Sequence, residues 1–182
     1  IRAFENHGSG KISLREILNP AIRLAERGFE LSHFEANRLN AYKTFFEKNK
    51  AASKIFIRKN GKPWEKGQIL IQKDLAKTLK RIARYGRDGF YSGTVAQLIV
   101  EEMKRGNGLI TKEDLLRYES KYRTPVLGTY KGHDIISMGP PSSGGALLIN
   151  MLNMLENYPL DTLGWNSSDY IHLLTEVERR AY

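Results

Sequence analysis

Apolar residues recur at three- and four-residue spacing through most of the chain, and glycine closes run after run. Ile17, Leu18, Ala21, Ile22, Leu24 and Ala25 form the first apolar face, opened by a capping box over Ser13-Leu14-Arg15-Glu16 and closed by Gly28. Asn19-Pro20 falls inside it and is expected to break or kink that helix, because proline removes an N–H and crowds the preceding turn. A second capping box at Ser32 and Glu35 opens a run carrying Phe34, Leu39, Tyr42, Phe45 and Phe46, which fades near Asn49. Leu75, Leu79, Ile82 and Ala83 ahead of Gly86 predict a further helix. Val95, Leu98, Ile99 and Met103 ahead of Gly106-Asn107-Gly108 predict the next, and Thr111 with Asp114 caps a short one through Tyr118. Two β-prone triplets, Ile55-Phe56-Ile57 and Ile69-Leu70-Ile71, flank Asn60-Gly61 and Pro63; they predict a small hairpin or paired extended arms.

The pattern changes near Pro125. Val126 to Tyr130 and Ile135 to Met138 read as strands. Gly139-Pro140-Pro141-Ser142-Ser143-Gly144-Gly145 follows as a stiff turn that forbids helix until a serine hydroxyl can cap one. The helix so opened is apolar over most of its circumference, with Asn150, Asn153 and Asn157 as one thin polar stripe, so it belongs inside a layered domain. Gly144 and Gly145 cost helix propensity in its first turn, which implies that a backbone or a ligand comes close there. The expected class is α+β, mostly α, divided into a helical lobe over 1–125 and a mixed portion over 126–182. The chain begins without methionine and stops within the amphipathic run Ile171, Leu174, Val177, Ala181, so it reads as a fragment.

Composition narrows the function classes. With 41% apolar and 10% aromatic residues in 182, the chain is globular and not disordered. No apolar run approaches the ~18 residues of a membrane span. The absence of cysteine excludes a disulfide framework and thiolate metal sites. The net charge of +9 comes from one region: between Lys43 and Asp88 there are 14 Lys/Arg against 4 Asp/Glu, and the rest is near neutral. Such a region can attract anionic polymers. Its lysines sit singly on helix faces without base-reading grammar, so a solvated face is the favoured reading and no nucleic-acid partner is expected.

Candidate chemistry is sparse. His7, His33, His133 and His172 lack metal spacing, and His172 with Glu176 reads as a surface pair, so no metal site is expected. The one Gly-rich turn at a helix start, Ser142, Ser143, Gly144 and Gly145, could present free N–H groups to a carboxylate or oxyanion. The favoured reading is that the serines cap a buried helix and the glycines permit tight packing. No neighbouring residue supplies a base for a serine nucleophile.

Four stretches resemble the γ-glutamyltranspeptidase family, in the later part of its large subunit. They are Asn19-Pro-Ala-Ile-Arg-Leu-Ala-Glu-Arg-Gly-Phe29, Gln72-Lys-Asp-Leu-Ala-Lys-Thr-Leu79 with Gly89-Phe-Tyr-Ser-Gly93, Gly106-Asn-Gly-Leu-Ile-Thr-Lys-Glu-Asp-Leu115 with Tyr118, and Met138-Gly-Pro-Pro-Ser-Ser-Gly-Gly145 with Leu155-Glu156. Asn107 and Gly139 depart from the family pattern, each at a turn that tolerates the change. The resemblance implies an N-terminal-nucleophile hydrolase in which the helical lobe leads into the first strands and core helix of an αββα sandwich. The precursor would cut itself before a Thr expected beyond Tyr182, and that Thr would attack the γ-glutamyl bond. No catalytic residue would then lie in this chain, and no cofactor is implied. The implied partners are the small subunit of the same precursor, a γ-glutamyl substrate, and an amino acid or water as acceptor; the implied location is periplasmic or extracellular. A non-catalytic helical module using the basic region is the competing reading.

Overall fold

A computed structural model describes residues 1–182. The chain forms two compact units, Ile1–Ser120 and Lys121–Tyr182.

The first unit begins with α1 (Arg2–His7), α2 (Leu14–Arg27), β1 (Phe29–Glu30), α3 (His33–Ala41), α4 (Lys43–Glu47) and α5 (Lys50–Phe56). It continues with β2 (Ile69–Leu70), α6 (Lys73–Tyr85), α7 (Asp88–Tyr91), α8 (Gly93–Arg105) and α9 (Lys112–Arg117). The predicted capping boxes form. Ser13 Oγ accepts from the Glu16 N–H at 3.2 Å while the Glu16 carboxylate accepts from the Ser13 N–H at 2.8 Å, and Ser32 with Glu35 repeats both distances. A third box joins Thr111 to Asp114.

In all three boxes the hydroxyl of the capping residue, and then its backbone N–H, hold the Glu16, Glu35 and Asp114 carboxyls below their ordinary range. A carboxyl whose value is lower folded than unfolded contributes stability that is complete above the unfolded value and is lost as pH falls through the folded one. Thermal unfolding should therefore drop in temperature as pH is lowered through the carboxylate range. The double variant Glu16→Gln/Glu35→Gln should start lower and show a flatter acid limb; an unchanged limb would remove the boxes from the acid sensitivity.

Pro20 does not break α2, which runs unbroken from Leu14 to Arg27. Proline removes a single ladder bond there, and α2 is held along its length by packing on α6. Ile22 and Ala25 are buried on one side and Ala76 on the other, and Lys80 reaches Glu26 in an ion pair across the seam. The run from Ser32 divides at Tyr42, whose φ of −94° and ψ of 10° separate α3 from α4.

The expected hairpin between the two β-prone triplets is absent. Ile55 and Phe56 close α5, and Ile69–Leu70 pairs antiparallel with Phe29–Glu30 instead, in the register Phe29↔Leu70 and Glu30↔Ile69. Asn49 accounts for the helix: its Oδ1 accepts from the Ala51 and Ala52 N–H groups at 2.9 and 3.0 Å. Phe56 then packs with Phe29, Leu39 and Trp64 around the core of Leu31, Ala36 and Leu70. Tertiary burial thus overrides local strand preference. The connecting loop is pinned by Asn40, whose side chain exchanges two hydrogen bonds with the Trp64 backbone at 2.7 and 2.8 Å, and by the Trp64 indole, which donates to the Phe56 carbonyl at 2.7 Å.

The second unit comprises β3 (Val126–Tyr130), β4 (His133–Ser137), α10 (Gly144–Leu155) and α11 (Ser168–Ala181), with one 3₁₀ turn at Leu160–Thr162. The strands pair antiparallel from Val126↔Ser137 to Tyr130↔His133. Lys131 and Gly132, at φ 46° and 79°, join them in a two-residue turn whose positive φ at both positions matches strand twist. Glu156, just past α10, accepts from the Lys131 N–H at 2.9 Å and ties that turn down. α10 packs across the hairpin and against α11, with Leu155 and Val177 buried. Along the hairpin, Val126, Gly128 and Tyr130 are half-buried while Leu127 and Thr129 are exposed, so the outer face stays open.

Candidate functional site

The turn between β4 and α10 is built by its neighbours. Gly139 is buried, Pro140-Pro141 is cis, and the Ser142 N–H donates to the Gly139 carbonyl at 3.2 Å, turning the chain toward α10. Ser142 is half-buried and its Oγ accepts from the Gly144 N–H at 3.2 Å. Ser143 is exposed, sits at φ −74° and ψ −20°, and makes no side-chain cap bond, so Ser142 alone supplies the hydroxyl at this helix start. The first helical bond is Leu147 N–H to the Ser143 carbonyl, at 3.0 Å. Neither serine hydroxyl is bonded to an imidazole or a carboxylate.

The two glycines differ. A Cβ on Gly145 would lie 2.2 Å from the Met138 carbonyl oxygen and 2.7 Å from Val126 Cγ2, so the first turn of α10 rests directly on the backbone just past β4 and on the Val126 side chain of β3. A Cβ on Gly144 would meet nothing nearer than Ser142 Oγ, at 3.4 Å. Gly145 is therefore required by packing, and Gly144 faces open space.

Elsewhere, no group of three or more His, Asp or Glu residues is placed to hold a metal ion. Glu176 is engaged by Arg180 and Arg179 at 2.6 and 2.8 Å, and these two bonds, Arg180's the stronger, lower its carboxyl; it is not paired with His172. Much of the basic region is absorbed locally. Lys43 pairs with Glu47 and Lys77 with Asp74, while Lys48, Arg58, Arg84 and Arg87 lie over Phe45, Trp64, Tyr85 and Tyr91.

Arg87 has a role that helical periodicity does not reveal. Its guanidinium donates to the Leu116 and Tyr118 carbonyls at 2.7 Å each, and to Leu115 at 3.3 Å, satisfying the end of α9. It also covers Tyr91, which stacks on Tyr118 with ring centroids 5.0 Å apart. Only the pairing of one Arg with a Tyr four residues on hinted at it in the sequence.

The family model described as Gamma-glutamyltranspeptidase matches residues 1–182, and the chain belongs to that family. It is 42% identical over 173 residues to the glutathione hydrolase proenzyme of Escherichia coli (strain K12), a match covering 95% of this chain and 30% of that protein. It is 37% identical over 173 residues to the acylase ACY 1 proenzyme of Pseudomonas sp. (strain SE83), covering 95% of this chain and 31% of that protein. The crystal structure of Helicobacter pylori gamma-glutamyltranspeptidase superposes with a TM-score of 0.90 at 44% identity, covering 100% of this chain and 51% of that one. The chain thus spans about three-tenths of the length of these curated relatives. The mostly helical α+β fold is that of γ-glutamyltranspeptidases.

Proposed function

We propose that this chain is part of the large subunit of an enzyme that transfers or hydrolyses the γ-glutamyl group of glutathione and related compounds, and that its precursor cuts itself to become active. The observation that carries this reading is the family match over every residue from 1 to 182. Proenzymes among the relatives support the processing step. The match covers 30% of the E. coli proenzyme but 51% of the H. pylori crystal chain, in keeping with precursors that become shorter chains. The competing idea of a non-catalytic module with a basic surface is not favoured by these relatives.

The chemistry is acyl transfer. A Thr hydroxyl, freed by cleavage at the head of the small subunit, attacks the γ-carbonyl; its proton passes by way of the terminal amine to the departing amine, and an ester forms. Water or an amino-acid amine then attacks that ester and restores the hydroxyl. These steps call on no cofactor. On this reading the nucleophile and the groups gripping substrate come from outside the 182 residues, and Ser142 to Gly145 seats α10 first. The substrate is a small molecule, and the enzyme works in the periplasm or outside the cell.

The test is release of p-nitroaniline from γ-glutamyl-p-nitroanilide by the full-length protein, with and without an amino-acid acceptor. Turnover supports the proposal; soluble, processed protein that releases none overturns it. The acylase relative motivates a second reading, hydrolysis of another acyl amide, which turnover of a non-glutamyl acyl anilide by the same preparation would favour.

A further inference from the structure

Along the outer side of β2 runs a cleft of ≈ 520 Å³, walled on one side by Gly67 to Ile71 and on the other by the end of α5 and the residues after it, Lys54 to Asn60. A second hollow of ≈ 460 Å³ shares Lys54, Ile55, Lys59 and Ile71 with the first and extends it to Lys73 and Leu75. The strand side of this groove is an unpaired edge. The Leu31 N–H donates to the Gln68 carbonyl at 2.9 Å, so alternation along an antiparallel ladder makes Phe29/Leu70 the next bonded pair and Glu30/Ile69 the unbonded one. The N–H and C=O of Ile69 therefore point away from β1, into the groove. Ile69 and Ile71 are 46% and 43% exposed.

Charge along the groove is predominantly positive. Lys54, Lys59 and Lys73 are exposed and none is in salt-bridge contact with a carboxylate, although the Lys73 charge acts on Glu26 at longer range, while Arg58 is fixed by donating to the Pro63 carbonyl at 2.7 Å and lying over Trp64. The single acid in the lining, Asp74, is engaged by Lys77 at 2.9 Å. An edge strand with free backbone groups recruits an extended chain by main-chain pairing, and lysines on such an edge repel other basic strands while attracting acidic ones.

We propose that this groove is a docking site for an extended, Asp/Glu-rich segment of another polypeptide, which adds a strand to β2 and sets its carboxylates against Lys54, Lys59 and Lys73. The test uses the full-length protein and a fluorescein-labelled heptapeptide in which Glu alternates with Val, followed by fluorescence anisotropy. Binding should weaken as salt is raised. N-methylation of one set of alternate peptide amides should weaken it at least about tenfold, since the carbonyl acceptors of β2 would lose those donors, while methylating the other set should matter far less. Lys54→Glu/Lys59→Glu should also weaken it about tenfold with unchanged circular dichroism, because two exposed pairs become repulsive. Equal binding of both N-methylated peptides, equal binding when Lys replaces Glu, or binding to anionic phospholipid vesicles but not to the peptide would each overturn the proposal.

Discussion

Gly145→Val is expected to abolish most recovery of folded protein. The new Cβ would start 2.2 Å from the Met138 carbonyl oxygen and 2.7 Å from Val126 Cγ2, and that carbonyl is held between the end of β4 at Ser137 and the buried Gly139, with little room to retreat. Relief requires lifting the first turn of α10 off the strands, which also disturbs the seat of Ile149 on Gly128, where a Cβ would approach Ile149 Cγ2 to 2.8 Å. Overpacking of this kind costs ~1–3 kcal/mol or more, against a typical domain stability of ~5–15 kcal/mol. Gly144→Ala is the matched control: its Cβ finds ordinary contact with Ser142 Oγ, and alanine favours helix over glycine by ~1 kcal/mol. Soluble yield, melting temperature and self-cleavage of the full-length protein should fall for the first variant and hold for the second. If Gly145→Val melted and processed normally but bound γ-glutamyl substrate poorly, an anion site at Ser142 to Gly145 would replace the packing role.

The 182-residue chain expressed alone should hydrolyse no γ-glutamyl substrate and should associate. On the proposed reading the nucleophile lies outside these residues, and without it binding and oxyanion contacts are the most that an acyl-transfer site retains. Association follows from the second unit, in which Leu127, Ile136 and Met138 are each 70% exposed and Leu148 is 38% exposed. At about 25 cal/mol per Å² such a surface forfeits several kcal/mol when left in water. Helical circular dichroism should persist, because the first unit has its own core around Leu31, Ala36 and Leu70. Dye binding and light scattering should come from residues 121–182. A sharply melting monomer that binds no hydrophobic dye would contradict the surface argument, and p-nitroaniline release by this chain would contradict the proposal that the nucleophile lies outside it.

What the sequence disclosed was local. Ser13 with Glu16, Ser32 with Glu35, and Thr111 with Asp114 announce helix starts because both partners of each box lie within one turn, and Gly28 and Gly86 close helices for the same short-range reason. The strand, turn and helix from His133 to Leu155 were legible because prolines and glycines restrict the backbone directly. Ile55 to Ile57 misled because the triplet favours strand by itself, while Asn49 and the core around Leu31 decide its conformation from elsewhere. Pro20 does not break α2 because the bond it removes and the crowding it adds are outweighed by the packing of α2 on α6. Arg87 was hidden because its three acceptors lie 28 to 31 residues away in the chain. At the candidate turn, residue types suggested two capping serines and two packing glycines; the fold employs Ser142 and Gly145 in those roles and leaves Ser143 and Gly144 facing outward.

The central claim, that this chain belongs to a self-cutting γ-glutamyl enzyme, is tested most directly by intact mass spectrometry of the purified full-length protein. Two polypeptides should be found whose masses sum to the precursor plus one water, the smaller beginning with Thr, and replacing that Thr by Ala should leave a single uncut chain. A soluble protein that remains one uncut polypeptide, or one whose smaller piece begins with a residue that carries no nucleophile, would contradict the account.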